Sequence, residues 1–98
     1  MNQLRVYIRY FSALREITQV KEDVMDVTEG CTVLDLLHLI SDKYGDNFTN
    51  YLFDIKTNEP RPYLQFFIDD TPISELKSFA TTVAGGSTLA IIPPIGGG

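Results

Sequence analysis

The chain has 98 residues, 44% of them hydrophobic and 21% charged, with a formal net charge of −5. That length closes one modest core and excludes a second catalytic domain, and the composition is that of a folded chain. The acidic balance argues against general affinity for nucleic acid or anionic membrane and favours a basic partner surface.

The single cysteine, Cys31, rules out an internal disulfide. No apolar run has the length of a signal-peptide core or a membrane span, so the chain is expected to be soluble, cytoplasmic and stabilised by packing. Leu4, Val6 and Ile8 alternate with Arg5, Tyr7 and Arg9, the period-two pattern of a strand with one buried face. Phe11, Leu14 and Ile17 then fall three apart and predict a helical turn, followed by a return strand over 22–27 whose register the pattern leaves open.

Glu29-Gly30 makes a turn, and Thr32 followed three positions later by Asp35 is the signature of a helix N-terminus. Val33, Leu36, Leu37, Ile40 and Tyr44 share one stripe, and Gly45 suits a left-handed terminating residue, which predicts the main helix over 33–44. Phe48, Tyr51, Leu52 and Ile55 repeat the spacing and predict a short helix, before a polar loop containing Pro60 and Pro62. A strand over 63–68 buries Leu64, Phe66 and Ile68 and closes at the Asp69-Asp70 turn. Segment 71–83 is irregular, 84–87 is a turn, and 88–92 is the last strand. The order strand, strand, helix, strand, strand describes one α+β domain over 1–92 with a helix on one sheet face, followed by a tail over 93–98.

The tail carries the chemistry. Pro93-Pro94 cannot continue a ladder and directs the chain stiffly away from the sheet. Gly96, Gly97 and Gly98 carry no side chains and can thread a channel too narrow for other residues. From Ile95 the extended reach is about 13 Å, at roughly 3.3 Å per residue. A terminal carboxylate, ionised at neutral pH, is a poor electrophile. Adenylation by an ATP-using partner would convert it to a mixed anhydride, and sulfur attack would then produce a thiocarboxylate. The plainer alternative is a frayed terminus or an expression scar; the joined sequence of strand, double proline, spacer and diglycine favours a functional device.

These residues resemble the β-grasp (ubiquitin-like) sulfur-carrier family, the MoaD/ThiS group, and most closely its molybdopterin synthase small subunits. The resemblance rests on Phe11-Ser12-Ala13-Leu14-Arg15-Glu16, on 30–37 as the helix start, and on the closing strand with its Pro-Pro-x-x-Gly-Gly ending. It departs from the family at Gly86-Ser87, where a Gly-Asp turn is common, at Asp69-Asp70, where Asn-Gly is common, and in a longer 46–62 connection. The resemblance implies a β-grasp mixed sheet with one main helix on one face and a flexible diglycine tail. It implies that Gly98 is adenylated and thiocarboxylated with Gly97 beside it, and that Pro93 and Pro94 form the tail exit ahead of Ile95 and Gly96. The implied partners are an ubiquitin-activating-enzyme-like adenylyltransferase that uses ATP, a sulfurtransferase, and the molybdopterin synthase large subunit, where sulfur would build the dithiolene. The subunit itself would be a non-catalytic carrier holding no cofactor or metal. Carriers for tRNA thiolation or thiamine assembly, lysine-conjugating modifiers and noncovalent β-grasp modules share parts of this pattern.

If the even-numbered residues of the first strand face the helix, Tyr7, Phe67 and Ile92 face outward beside Arg5 and Arg9, forming a docking surface near the tail. The alternative is that 71–83 folds over that face. Elsewhere the residues favour structural roles. Cys31 suits a half-buried structural thiol better than a sulfur relay, and His38 has no companion ligands for a metal. Asp69 and Asp70 suit a turn better than a carboxylate pair, and Gly85-Gly86 lacks the lysine and setting of a phosphate loop.

Overall fold

The computed structural model describes residues 2–94; Ile95, Gly96, Gly97 and Gly98 lie outside the described residues. Strand β1 (Gln3–Tyr10) follows the predicted alternation, with Val6, Ile8 and Tyr10 buried and Arg5 and Arg9 exposed. Helix α1 (Ala13–Thr18) buries Leu14, and β2 (Glu22–Thr28) returns antiparallel with Val24 opposite Tyr7. This register places Val27 in the core and leaves Val24 outside.

Helix α2 (Val33–Tyr44) has the predicted bounds, and its start is fixed by reciprocal capping. The Thr32 hydroxyl accepts the Asp35 N–H at 3.1 Å, while the Asp35 carboxylate accepts the Thr32 N–H at 3.1 Å. Val33, Leu36, Leu37 and Ile40 are buried against the sheet. Gly45 ends the helix at φ 87°, ψ −161°, an extended positive-φ conformation outside the left-handed helical region and one that suits glycine. Its carbonyl accepts the Thr49 N–H at 3.0 Å and so also opens α3 (Asp46–Leu52).

The predicted short helix ends earlier than its spacing suggested. Asp54 N–H binds the Glu59 carbonyl at 2.8 Å, Arg61 N–H binds that of Leu52 at 2.9 Å, and Phe53 bridges Pro60. The Asp54 carboxylate also takes the Lys56 N–H at 2.8 Å. The chain therefore turns back in a small hairpin, and Ile55 stands 84% exposed instead of completing the apolar stripe.

The strand expected over 63–68 is β3 (Gln65–Ile68), shortened because Leu64 N–H closes a turn onto the Arg61 carbonyl. Asp69 and Asp70, both at positive φ, turn it into the two-residue β4 (Thr71–Pro72). Three-residue 3₁₀ turns follow at Ile73–Glu75 and Ser78–Ala80, and β5 (Thr88–Ile92) closes the sheet. The order is β2-β1-β5-β3-β4, with β1 and β5 parallel and the other pairs antiparallel. This is the β-grasp, ubiquitin-like arrangement, with all helices on one face. Its core joins Ile8, Leu89, Ile91 and Phe66 from the sheet to Leu36, Leu37 and Ile40 from α2 and Phe48 from α3.

One polar cluster sits at the rim of this core. The Tyr10 hydroxyl donates to Asp23 at 3.1 Å, Tyr44 donates to the same carboxylate, and Lys43 pairs with it at 2.8 Å. Partial burial pushes the Asp23 pKa up, but hydrogen bonds from Lys43, Tyr44 and Tyr10 outweigh it and hold the carboxyl below its ordinary range. Burial and the same carboxylate push the Tyr10 hydroxyl pKa far up, so that it stays a donor.

Candidate functional site

The face opposite the helices is assembled in rows by strand register. Glu22, Arg9, Ala90 and Phe67 lie side by side across four strands, and Val24, Tyr7 and Thr88 form the neighbouring row. Beyond Ala90 along β5 comes Ile92, whose ladder partner is Gln65. The central side chain of the first row is only a methyl group, and a hollow of ≈ 480 Å³ opens over it, bounded by Arg9, Phe11, Phe67, Thr88 and Ile92. Tyr7, Phe67 and Ile92 are half-buried and Val24 is 48% exposed.

The strand alternation thus brings Tyr7, Arg9, Phe67 and Ile92 to one surface, with Arg5 farther along β1. Segment 71–83 does not cover it. Ile73 and Val83 are buried in the core on the helix side, and Phe79 meets Phe66 edge-on at 5.2 Å. The Val33 N–H reaches the Thr81 carbonyl and Val83 N–H that of Cys31, both at 2.9 Å, which ties the segment beside the start of α2.

Spacing to Leu14 and Ile17 predicts Phe11 in the helical turn, but its half-buried ring borders the hollow, with the Arg9 and Arg15 guanidinium groups each 5.8 Å from its centroid. The signal was available: Tyr7, Arg9 and Phe11 continue one period-two series past the end of the strand. The arginines are not free cations. Arg5 pairs with Asp26 at 3.3 Å and Arg9 with Glu22 at 3.9 Å, all four side chains being largely exposed. Asp69 and Asp70 stand on the far rim of the hollow, so its border is more acidic than basic and suits a partner with surplus positive charge. Asp69 is also structural, since its carboxylate accepts the Thr88 N–H at 3.0 Å and holds the start of β5.

The tail begins one residue beyond Ile92, at the end of β5. β5 is the central strand, hydrogen-bonded to β1 and β3, and Pro93 beyond it is buried whereas Pro94 is exposed. The root of the tail is thereby fixed to the whole sheet. Gly97 and Gly98, with Ile95 and Gly96, lie outside the described residues.

Cys31 and His38 take no part in this surface. Burial, and then the Asp35 carboxylate, push the Cys31 thiol pKa up, opposing any lowering by the helix terminus. His38 stacks on Phe53 at 4.9 Å. Among the described residues no three His, Cys, Asp or Glu side chains gather into a metal-holding group, and no helix is long and apolar enough to cross a membrane.

The β-grasp sheet with a tail rooted on its central strand has counterparts among known proteins, and residues 8–98 match the ThiS family. The chain belongs to the ThiS family of β-grasp sulfur carriers. It is 30% identical over 95 residues to the molybdopterin synthase sulfur carrier subunit of Drosophila erecta, covering 97% of this chain and 92% of that one. It is 25% identical over 95 residues to small archaeal modifier protein 3 of Haloferax volcanii, covering 97% of this chain and 100% of that one. The solution structure of small archaeal modifier protein 1 from Methanosarcina acetivorans superposes with a TM-score of 0.83 at 23% identity, covering 100% of both chains. For this ThiS-family chain, the last likeness speaks for the fold alone.

Proposed function

We propose that this protein is the sulfur-carrier subunit of a molybdopterin synthase. An adenylyltransferase activates the Gly98 carboxylate with ATP, a sulfurtransferase supplies the sulfur, and the thiocarboxylate enters the synthase large subunit to donate sulfur to the pterin dithiolene. The observation that carries this reading is the position of the tail root: it continues the central strand, its first proline is buried, and an uncovered hollow bordered by Phe11, Phe67 and Ile92 lies beside it. A rigid root lets one docking geometry determine where the last glycine arrives, which is what delivery into another protein's active site demands.

Tyr7, Phe67, Ile92 and Phe11 supply the apolar centre of the docking face, and Arg5 and Arg9 its charged border. Gly97 minimises crowding beside the reacting carbonyl, and Gly96 with Ile95 completes the spacer. The chain contributes no catalytic side chain, cofactor or metal; chemistry at Gly98 is performed by its partners. The likeness to the Drosophila carrier favours the pterin as the acceptor.

The likeness to the archaeal modifier supports a second reading, in which activated Gly98 is joined to a lysine amine of a target protein. Incubating the loaded protein with the large subunit and the cyclic pyranopterin phosphate separates the two. Stoichiometric appearance of the dithiolene product with return of the Gly98 carboxylate supports the carrier reading; isopeptide adducts without pterin thiolation overturn it in favour of the modifier.

A further inference from the structure

Strand β2 ends the sheet, with β1 as its one neighbour in the order β2-β1-β5-β3-β4. Alternate residues of an antiparallel strand turn their backbone groups to opposite sides. The Tyr10 N–H reaches the Lys21 carbonyl at 2.9 Å and the Glu29 N–H that of Asn2 at 3.1 Å, so in this register Asp23, Met25 and Val27 are the β2 residues bonded to β1. Glu22, Val24, Asp26 and Thr28 address the other side. There, among the described residues, the Thr28 carbonyl takes the Cys31 N–H at 3.1 Å, while the N–H and carbonyl groups of Glu22, Val24 and Asp26 have no backbone partner. Three donors and three acceptors line one open edge, the arrangement to which an extended segment adds as a further strand.

The side chains of these three residues share the outer face with Arg9, Tyr7 and Arg5 of β1. Glu22 and Asp26 are each held from the β1 side, by Arg9 at 3.9 Å and Arg5 at 3.3 Å, and each stays about half exposed. A carboxylate accepts several hydrogen bonds, so each keeps capacity for a donor arriving from the edge. Val24 between them is also half exposed. The edge thus presents acid, aliphatic and acid at alternate positions. Past Thr28 it runs into an open hollow bordered by Glu29, Asp35 and the exposed Leu39, which continues the same lining.

A second copy fits this edge poorly. Antiparallel pairing centred on Val24 sets Glu22 against Asp26 twice, and like charges directly opposite destabilise a sheet. Opposite charges in those places stabilise it, which selects a basic occupant.

We propose that β2 takes up an extended segment of a partner protein as an added strand, and that this segment carries basic side chains two residues to either side of an aliphatic one. Its backbone closes the open donors and acceptors, its basic residues lie opposite Glu22 and Asp26, and its aliphatic residue covers Val24. The proposal stands apart from the chemistry at Gly98, because β2 lies two strands from β5, whose end carries the tail.

The test uses the full chain labelled with ¹⁵N and the blocked peptide acetyl-Ser-Lys-Thr-Ile-Thr-Arg-Ser-amide, with a counterpart carrying Glu in place of Lys and Arg. At saturation the Val24 and Asp26 amides exchange about tenfold or more slowly, while those of Asp23 and Met25, already bonded to β1, keep their rates; a strand added at this edge produces that alternation. The double variant Glu22→Gln, Asp26→Asn binds the basic peptide about tenfold more weakly, through loss of two cross-strand charge pairs. Val24→Pro abolishes binding, since it removes an outward N–H and spares the ladder to β1. Exchange is read on the unmodified chain, so a folding defect in Val24→Pro leaves the test decisive.

Free exchange rates at Val24 and Asp26 in millimolar peptide, or equal slowing of all four amides, overturn the added strand. Equal binding of the acidic counterpart overturns the basic occupant. Protection of Val24 and Asp26 in the chain alone that grows with protein concentration assigns the edge to a second copy and overturns the proposal as well. Sulfur loading at Gly98 is measured separately, so each of these failures leaves the carrier reading standing.

Discussion

The two faces of the sheet obey the same alternation and come to opposite ends. On the inner face Val6, Ile8, Leu89, Ile91 and Phe66 are covered by α2 and α3 and are almost wholly buried. On the outer face Tyr7, Phe67 and Ile92 lie beside a hollow floored by Ala90, and segment 71–83 packs on the other side, with Ile73 and Val83 buried in the core. The inner face explains why the chain folds. The outer face leaves half-buried apolar groups around the root of the tail, as an association surface does.

The sharpest way to break that contrast is to cut the tail. Removing Gly97-Gly98 should abolish sulfur loading while leaving the thermal midpoint unchanged, because two glycines take no side chains from a core built of residues between Val6 and Ile91; loading measured by mass and stability measured by calorimetry give the two halves of the comparison. Next in size is Leu36→Ala on the inner face. Leu36 is fully buried, and its truncation should cost about 3 kcal/mol in denaturant unfolding, with tail chemistry retained in the fraction that stays folded.

On the outer face Ile92→Asp should act the other way. It should weaken binding to the adenylating partner by about tenfold or more, or about 1.4 kcal/mol, with a much smaller loss of stability. Unaltered affinity would remove the sheet face from the docking account.

Asp23 sharpens the comparison at the core rim. Its folded pKa is depressed, so its contribution is fully present above the unfolded carboxylate range and is lost as pH falls through the folded value. Asp23→Asn should cost about 2 kcal/mol at neutral pH by weakening charge-assisted hydrogen bonds, and urea unfolding at several pH values should show a flatter acid limb than the parent. The smallest effect belongs to Cys31→Ser, expected to leave the rate of sulfur loading unchanged because the protonated, half-buried thiol lies apart from the tail root.

Long periodic segments were legible in the sequence, and short ones with local hydrogen bonding were not. Helix α2 has its predicted bounds because Thr32, Asp35, the apolar stripe and Gly45 all agree. Ile55 had the right spacing for a helix, but the Asp54 carboxylate and the bonds closing the 53–60 hairpin give the backbone a competing arrangement. A two-residue β4 and isolated 3₁₀ turns carry no measurable period, so 71–83 became readable only through Ile73, Phe79 and Val83 meeting the core. For the site, alternation placed Tyr7, Arg9, Phe67 and Ile92 on one face. The hollow at Ala90 needed the register of four strands, which no single segment encodes.

The most direct test of the central claim is the intact mass of the full chain after incubation with its adenylating enzyme, ATP and a sulfur donor, with fragmentation to locate the change. Replacement of one oxygen by sulfur at Gly98, retained by Cys31→Ser, is the predicted result. An unmodified Gly98 in the presence of a demonstrably active enzyme would contradict it.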